Sequence, residues 1–106
     1  MSDPYFAAVE AQWRNIRALY LTFESKKPIV LYDIDDQQIY AYPYKEFKSD
    51  MSERSQALLQ HDYKFASTHG SMVVFVRDNT TRRLVSYVVS VDNADTAIAI
   101  NPDPVH

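Results

Sequence analysis

Apolar residues recur early in the chain at alternating spacings of three and four: Phe6, Val9, Trp13, Ile16, Tyr20 and Phe23, with Leu19 beside them. That rhythm predicts an amphipathic helix from about Pro4 to Glu24, with Glu10, Arg14 and Arg17 off the stripe and facing water. Asp3 suits the N-cap, and Pro4 the first helical position, where a missing N–H costs nothing. Lys26 and Lys27 favour the negative end of the helix dipole, and Pro28 stops the helix. The stripe also keeps a heptad, so pairing with another helix across a dimer is an alternative. Its large aromatics fit a sheet face better than a narrow two-stranded seam.

The period then changes to two. Ile29–Ile34 and Gln38–Pro43 predict a hairpin across Asp35-Asp36-Gln37. Pairing Ile34 with Ile39 puts Val30, Tyr32, Ile34, Ile39 and Ala41 on one face. Ile29, Leu31, Asp33, Tyr40, Tyr42 and Tyr44 then take the other. A second helix is expected from about Met51 to Tyr63, with Asp50 and Glu53 as a capping-box pair. Tyr44–Ser49 is either an extra helical turn or a loop. Gly70, the only glycine in 106 residues, marks a positive-φ break. A second hairpin follows, turning at Asp78-Asn79-Thr80-Thr81, with Met72, Val74, Val76, Val85, Tyr87 and Val89 on a wholly apolar face.

These elements predict an α+β fold, a two-layer sandwich of order α-β-β-α-β-β(-β). Its sheet is antiparallel or mixed, with the helices on one face. Residues 1–95 are expected to form one globular domain. Residues 96–106 would add a short strand near Ile98–Ile100 and then a disordered tail.

Composition narrows the chemistry. One glycine leaves no glycine-rich loop to cradle phosphate or a dinucleotide. The absence of cysteine removes disulfides, thiol nucleophiles and cysteine-ligated metals, and fits a cytoplasmic setting. The N-terminal stretch has an acidic residue where a signal peptide needs a basic one, so export is not expected. No window approaches the roughly 18 apolar residues of a membrane span. A net charge of −3 argues against a dedicated phosphate-backbone binder.

Asp33-Ile34-Asp35, after four apolar residues, resembles the start of the nucleophile strand of haloacid-dehalogenase-type phosphotransferases, as far as the second aspartate. That family then requires a small residue and a threonine, where this chain has Asp36 and Gln37. The next strand follows too soon for the crossover that such a parallel sheet needs. An EF-hand reading fails similarly, with Gln38 where glycine belongs and Tyr44 in place of the bidentate glutamate. The aspartates are expected to be solvated turn residues, with weak cation binding left open. His61, His69 and His106 have no recognised ligand spacing, and no serine sits in a nucleophile elbow. No catalytic residue, metal or cofactor is therefore assigned.

What remains is tyrosine, eight in all, with Tyr40, Tyr42 and Tyr44 at period two and Leu31 and Ile29 alongside. Such a row suits a protein interface, because tyrosine tolerates one dry and one wet side. It could instead pack under the second helix, or stack bases with Lys45, Lys48 and Lys64 on phosphates. The expectation is a small non-enzymatic interaction or regulatory domain, self-associating as a homodimer or docking on a protein partner. Its binding residues would be Tyr40, Tyr42, Tyr44 and Leu31. The alternatives are a ligand- or metal-binding protein or enzyme with a Tyr/His/Asp-lined pocket and, less favoured, a single-strand nucleic-acid binder.

Overall fold

The structure, a computed structural model, describes residues 3–49 and 51–100. The elements are α1 (Pro4–Ala11), α2 (Trp13–Thr22), β1 (Ile29–Asp33), β2 (Gln38–Tyr42), α3 (Tyr44–Ser49), α4 (Glu53–Thr68), β3 (Ser71–Asp78) and β4 (Arg83–Ser90). The four strands form one mixed sheet in the order β2-β1-β3-β4, antiparallel except where β1 and β3 run parallel. The α+β class and the mixed sheet with packed helices hold as expected.

Distribution of the helices over the sheet differs from that expectation. Val9, Trp13 and Ile16 of α1 and α2 pack with Val30, Tyr32, Val74, Val76, Val85 and Tyr87. Leu59 and Ala66 of α4 pack with Ile29, Leu31, Val73, Phe75 and Val88, the alternate positions of the same strands. The helices therefore cover both faces rather than one. The cause is legible in β1 and β3, whose IVLY and MVVFV runs are apolar on both sides, so that each side needs cover.

The first helix starts where the sequence placed it. Asp3 Oδ1 accepts from the Tyr5 and Phe6 amides, and its Oδ2 accepts from the buried Tyr87 hydroxyl at 2.5 Å, so one side chain both caps α1 and ties it to β4. The helix then breaks at Gln12, whose N–H is shared between the Ala8 and Val9 carbonyls. No glycine or proline forces this break. It falls between Val9 and Trp13, both fully buried, where packing of the two halves on a twisted sheet outweighs helical continuity. Trp13 Nε1 donates to the Asn93 carbonyl at 2.8 Å and Arg17 Nε to that of Val91 at 2.7 Å, so the segment after β4 is fastened to α2.

The fourth helix is capped by Ser52, which accepts from the Ser55 amide, and it runs to Thr68 rather than Tyr63. The expected cap Asp50 lies outside the described residues. Gly70 follows with φ +63°. A Cβ there would meet nothing within 4 Å, so the only penalty for alanine is the left-handed backbone. Gly70→Ala is expected to lower stability by about 1–2 kcal/mol, measured by urea denaturation.

The second hairpin presents the expected apolar face, with Val74 opposite Tyr87 and Val76 opposite Val85. In the first, Tyr32 rather than Ile34 lies opposite Ile39. That shift of two residues lengthens the turn and leaves every side chain on its expected face. Beyond β4, Ala99 bridges Val89, bringing a short segment at Ile98–Ile100 against the outer edge of β4. The tail that follows lies outside the described residues.

Candidate functional site

The turn aspartates are structural members of the sheet. Asp33 is 1% exposed. Its Oδ1 accepts from the Asp35 and Asp36 amides at 3.0 and 3.3 Å, closing the β1–β2 turn. Its Oδ2 accepts from Arg77 Nε at 3.0 Å and Nη2 at 2.6 Å. Parallel pairing of β1 with β3 places Arg77 directly beside Asp33. Asp35 reaches across as well, accepting from the Asn79 amide at 2.7 Å and the Thr80 hydroxyl at 3.1 Å. The expectation of solvated turn carboxylates is thus corrected for Asp33, which is buried, and for Asp35, which joins the two hairpin turns.

Burial pushes the Asp33 carboxyl up, but the Arg77 bond, the two amide bonds and the guanidinium charge together hold it below the usual carboxylate range. The same bond pushes Arg77 further up. A carboxylate already bonded through both oxygens is a weak proton acceptor, so Asp33 serves to orient Arg77 rather than to move protons. The Arg77 side chain as a whole remains 41% exposed. Asp33 engages two of its five N–H groups, and no bond to another acceptor among the described residues occupies the others.

Arg77 stands at one end of a groove between the sheet and α3–α4. Leu31 and Leu84 form the floor, and Tyr42, Phe47 and Met51 form the walls of a cavity of about 220 Å³. Met51 and Leu84 also line a second cavity of about 230 Å³ that continues over Phe75 and Ser86 toward Leu58, Leu59 and Arg82. Phe47 is held in place by its ring contacts with Tyr42 and Phe75, at centroid distances of 5.8 and 4.9 Å. Ser86, which lines the second cavity, donates its hydroxyl to the buried Asp62 carboxylate of α4 at 2.7 Å.

Of the residues expected to bind, Leu31 is floor, at 3% exposed. Tyr42 forms a wall, and Tyr40 stacks on it at 6.3 Å from the strand's half-buried side. Tyr44 leaves the row because α3 begins there. It stacks on Tyr63 at 4.0 Å instead, and burial raises both phenols. Tyr63 also donates to the Lys27 carbonyl at 2.9 Å. Arg77, Phe47, Met51 and Leu84 were not singled out in the sequence. Long-range pairing through β3 brings Arg77 and Leu84 to the tyrosine row, whereas Phe47 and Met51 reach it through α3 and the turn that follows.

The described histidines line a different surface, although His61 Nδ1 comes within 3.5 Å of Asp62 Oδ1. His61 and His69 border a shallow surface on α4 with Lys64, Phe65 and Thr68, and His69 Nδ1 is 2.8 Å from the Phe65 carbonyl. His106 is outside the described residues. Tyrosines, histidines and acids therefore do not converge in one pocket, and among the described residues no three His, Asp or Glu side chains gather to hold a metal. Lys64 is likewise apart from the tyrosine row. No helix of the described residues is long and apolar enough to cross a membrane.

No protein-family model matches the chain, and neither a curated protein nor a solved structure matches it significantly.

Proposed function

We propose that the chain is a non-catalytic interaction module, working in the cytoplasm, whose groove over Leu31 and Leu84 takes a segment of a protein partner. The segment presents an apolar side chain with a carboxylate close to it. The observation that carries this reading is Arg77: fixed from behind by a buried carboxylate, still part-exposed, and standing at the end of an apolar floor. A guanidinium with donors to spare is the side chain best suited to receive a carboxylate.

Shape also favours a segment: the two cavities, of about 220 and 230 Å³, lie side by side along one groove and share Met51 and Leu84. Two neighbouring pockets that share Met51 match a chain offering side chains in succession. A pocket combining tyrosine, histidine and acid, as an enzyme or metal binder would need, has less support, because those groups face different surfaces.

The test is selection of random peptides on the immobilised protein, followed by affinity measurement on variants. Enriched peptides are expected to share an apolar residue near an acid. Arg77→Lys keeps the charge but loses the planar fork, and is expected to weaken binding about tenfold. Met51→Asp, which puts a negative charge between the two cavities, is expected to weaken it further, and His69→Ala to leave it unchanged. No enrichment, or binding indifferent to both groove variants, would remove the proposal.

A further inference from the structure

The two outer edges of the sheet are treated differently. The edge of β4 is covered near its end, where the Ser90 amide donates to the Ile98 carbonyl and the Ile100 amide to that of Val88. Its beginning carries Arg83 next to Arg82, charges of the kind that discourage strand pairing. The edge of β2 has no such protection. Its five residues, QIYAY, include no charge, their register with β1 contains no bulge, and no described strand lies beyond them. We infer that this edge pairs antiparallel with the same edge of a second copy of the chain.

The phase of the backbone fixes how. The Ile34 amide donates to the Arg77 carbonyl on β3. Because backbone groups alternate along a strand, Ile29, Leu31 and Asp33 direct theirs at β2, where their partners are Tyr42, Tyr40 and Gln38. The amides and carbonyls of Ile39 and Ala41 therefore point outward. A twofold axis at Tyr40 sets Ile39 opposite Ala41 of the second copy, and Ala41 opposite Ile39. All four outward groups of each strand then pair, making four N–H···O bonds.

In this register Tyr40 faces Tyr40 of the other copy in a non-hydrogen-bonded pair, the closer kind, with Cα atoms about 4.5 Å apart. The next outward position is Pro43, which has no N–H, and Gln37 at the other end has φ +55°, so the ladder ends where the strand ends. The strand is flanked by Asp35 and Asp36 on one side and, on the other, by Lys45, Glu46 and Lys48, which leave that end with a net positive charge. Antiparallel pairing brings each copy's acidic end toward the other's basic end, twice over. A second copy is thus complementary in backbone, side chain and charge. The inference stands whether or not the groove takes a peptide.

A five-residue ladder buries less than the roughly 1,200 Å² of a standard interface, so the dimer is reversible, with a Kd of micromolar order. Sedimentation equilibrium on the wild-type chain, from about 1 to about 500 μM, is expected to show a monomer–dimer equilibrium. Ala41→Pro deletes only an outward N–H, and Tyr40→Lys sets two ammonium groups face to face. Each is expected to weaken association about tenfold or more with the fold retained, Tyr40→Lys at some cost in Tm because its ring stacks on Tyr42. Arg83→Glu, on the opposite edge, is expected to leave it unchanged. Hydrogen exchange on the wild type needs no variant: the Ile39 and Ala41 amides should slow as concentration rises, while that of Tyr42 should not respond. A monomer throughout the range, a dimer indifferent to both β2 variants, or one broken by Arg83→Glu would overturn the inference.

Discussion

Replacing Trp13 with alanine is expected to cost about 3–5 kcal/mol, which for a domain of this size is a large fraction of the roughly 5–15 kcal/mol available. Trp13 is fully buried, the largest of the side chains that are, and it packs among Val9, Ile16 and the valines of β3 and β4. Alanine leaves a cavity that a close-packed sheet cannot collapse to fill. It also leaves the Asn93 carbonyl without its indole donor, loosening the segment after β4. Trp13→Phe separates the two effects, filling most of the space while losing the hydrogen bond, and is expected to cost about 1–3 kcal/mol. Urea denaturation of both variants checks the pair, with the alanine variant near the limit of folding.

Asp33→Ala is expected to cost about 2–4 kcal/mol at neutral pH. It removes the buried partner of Arg77 and the acceptor of two turn amides. The cost stays below that of a fully buried pair because Arg77 can turn toward water. Asp33→Asn keeps an oxygen for the turn amides and loses the charge, so it should cost less. The pair also predicts a pH dependence. Because Asp33 is held below its ordinary value of about 4, its contribution is fully present above that value and is lost as pH falls through the depressed one. The stability gap between wild type and Asp33→Asn should therefore be constant at neutral pH and shrink on acidification from about pH 5 to pH 2. A gap that widened over that interval would mean that the folded state does not favour the ionised carboxylate.

Much of the fold was legible because period-two alternation survives errors in register. Tyr32, not Ile34, faces Ile39, yet Val30, Tyr32 and Ile39 still share a face with α1 and α2. The slip came from the turn, which was read as three residues because Ile34 was counted as the last position of the strand. The Asp33 carboxylate in fact caps the Asp35 and Asp36 amides and lengthens the turn by one residue. Caps are local chemistry, so Asp3 and Gly70 could be read directly. The break at Gln12 could not, since it answers to the sheet beneath.

The candidate site was half visible for the same reason. Tyr40, Tyr42 and Leu31 belong to one hairpin, and their shared face follows from alternation alone. Tyr44 left the row once α3 began. Arg77 and Asp33 are 44 positions apart and meet through the parallel β1–β3 pairing, for which neither strand carries a local signal. The expectation of helices on one face failed on evidence already in the sequence, since strands apolar on both sides need two covers.

The groove is tested most directly by following the ¹H–¹⁵N spectrum of the protein, including the Arg77 Nε–Hε resonance, while a peptide enriched on it is added. Shifts are expected to be confined to Arg77, Leu84, Phe75, Phe47 and Met51, with the Arg77 side-chain resonance moving only when the peptide's carboxylate is free and not when it is amidated. Shifts that cluster on α1–α2 or around His61 and His69, with Arg77 unmoved by either peptide, would contradict it.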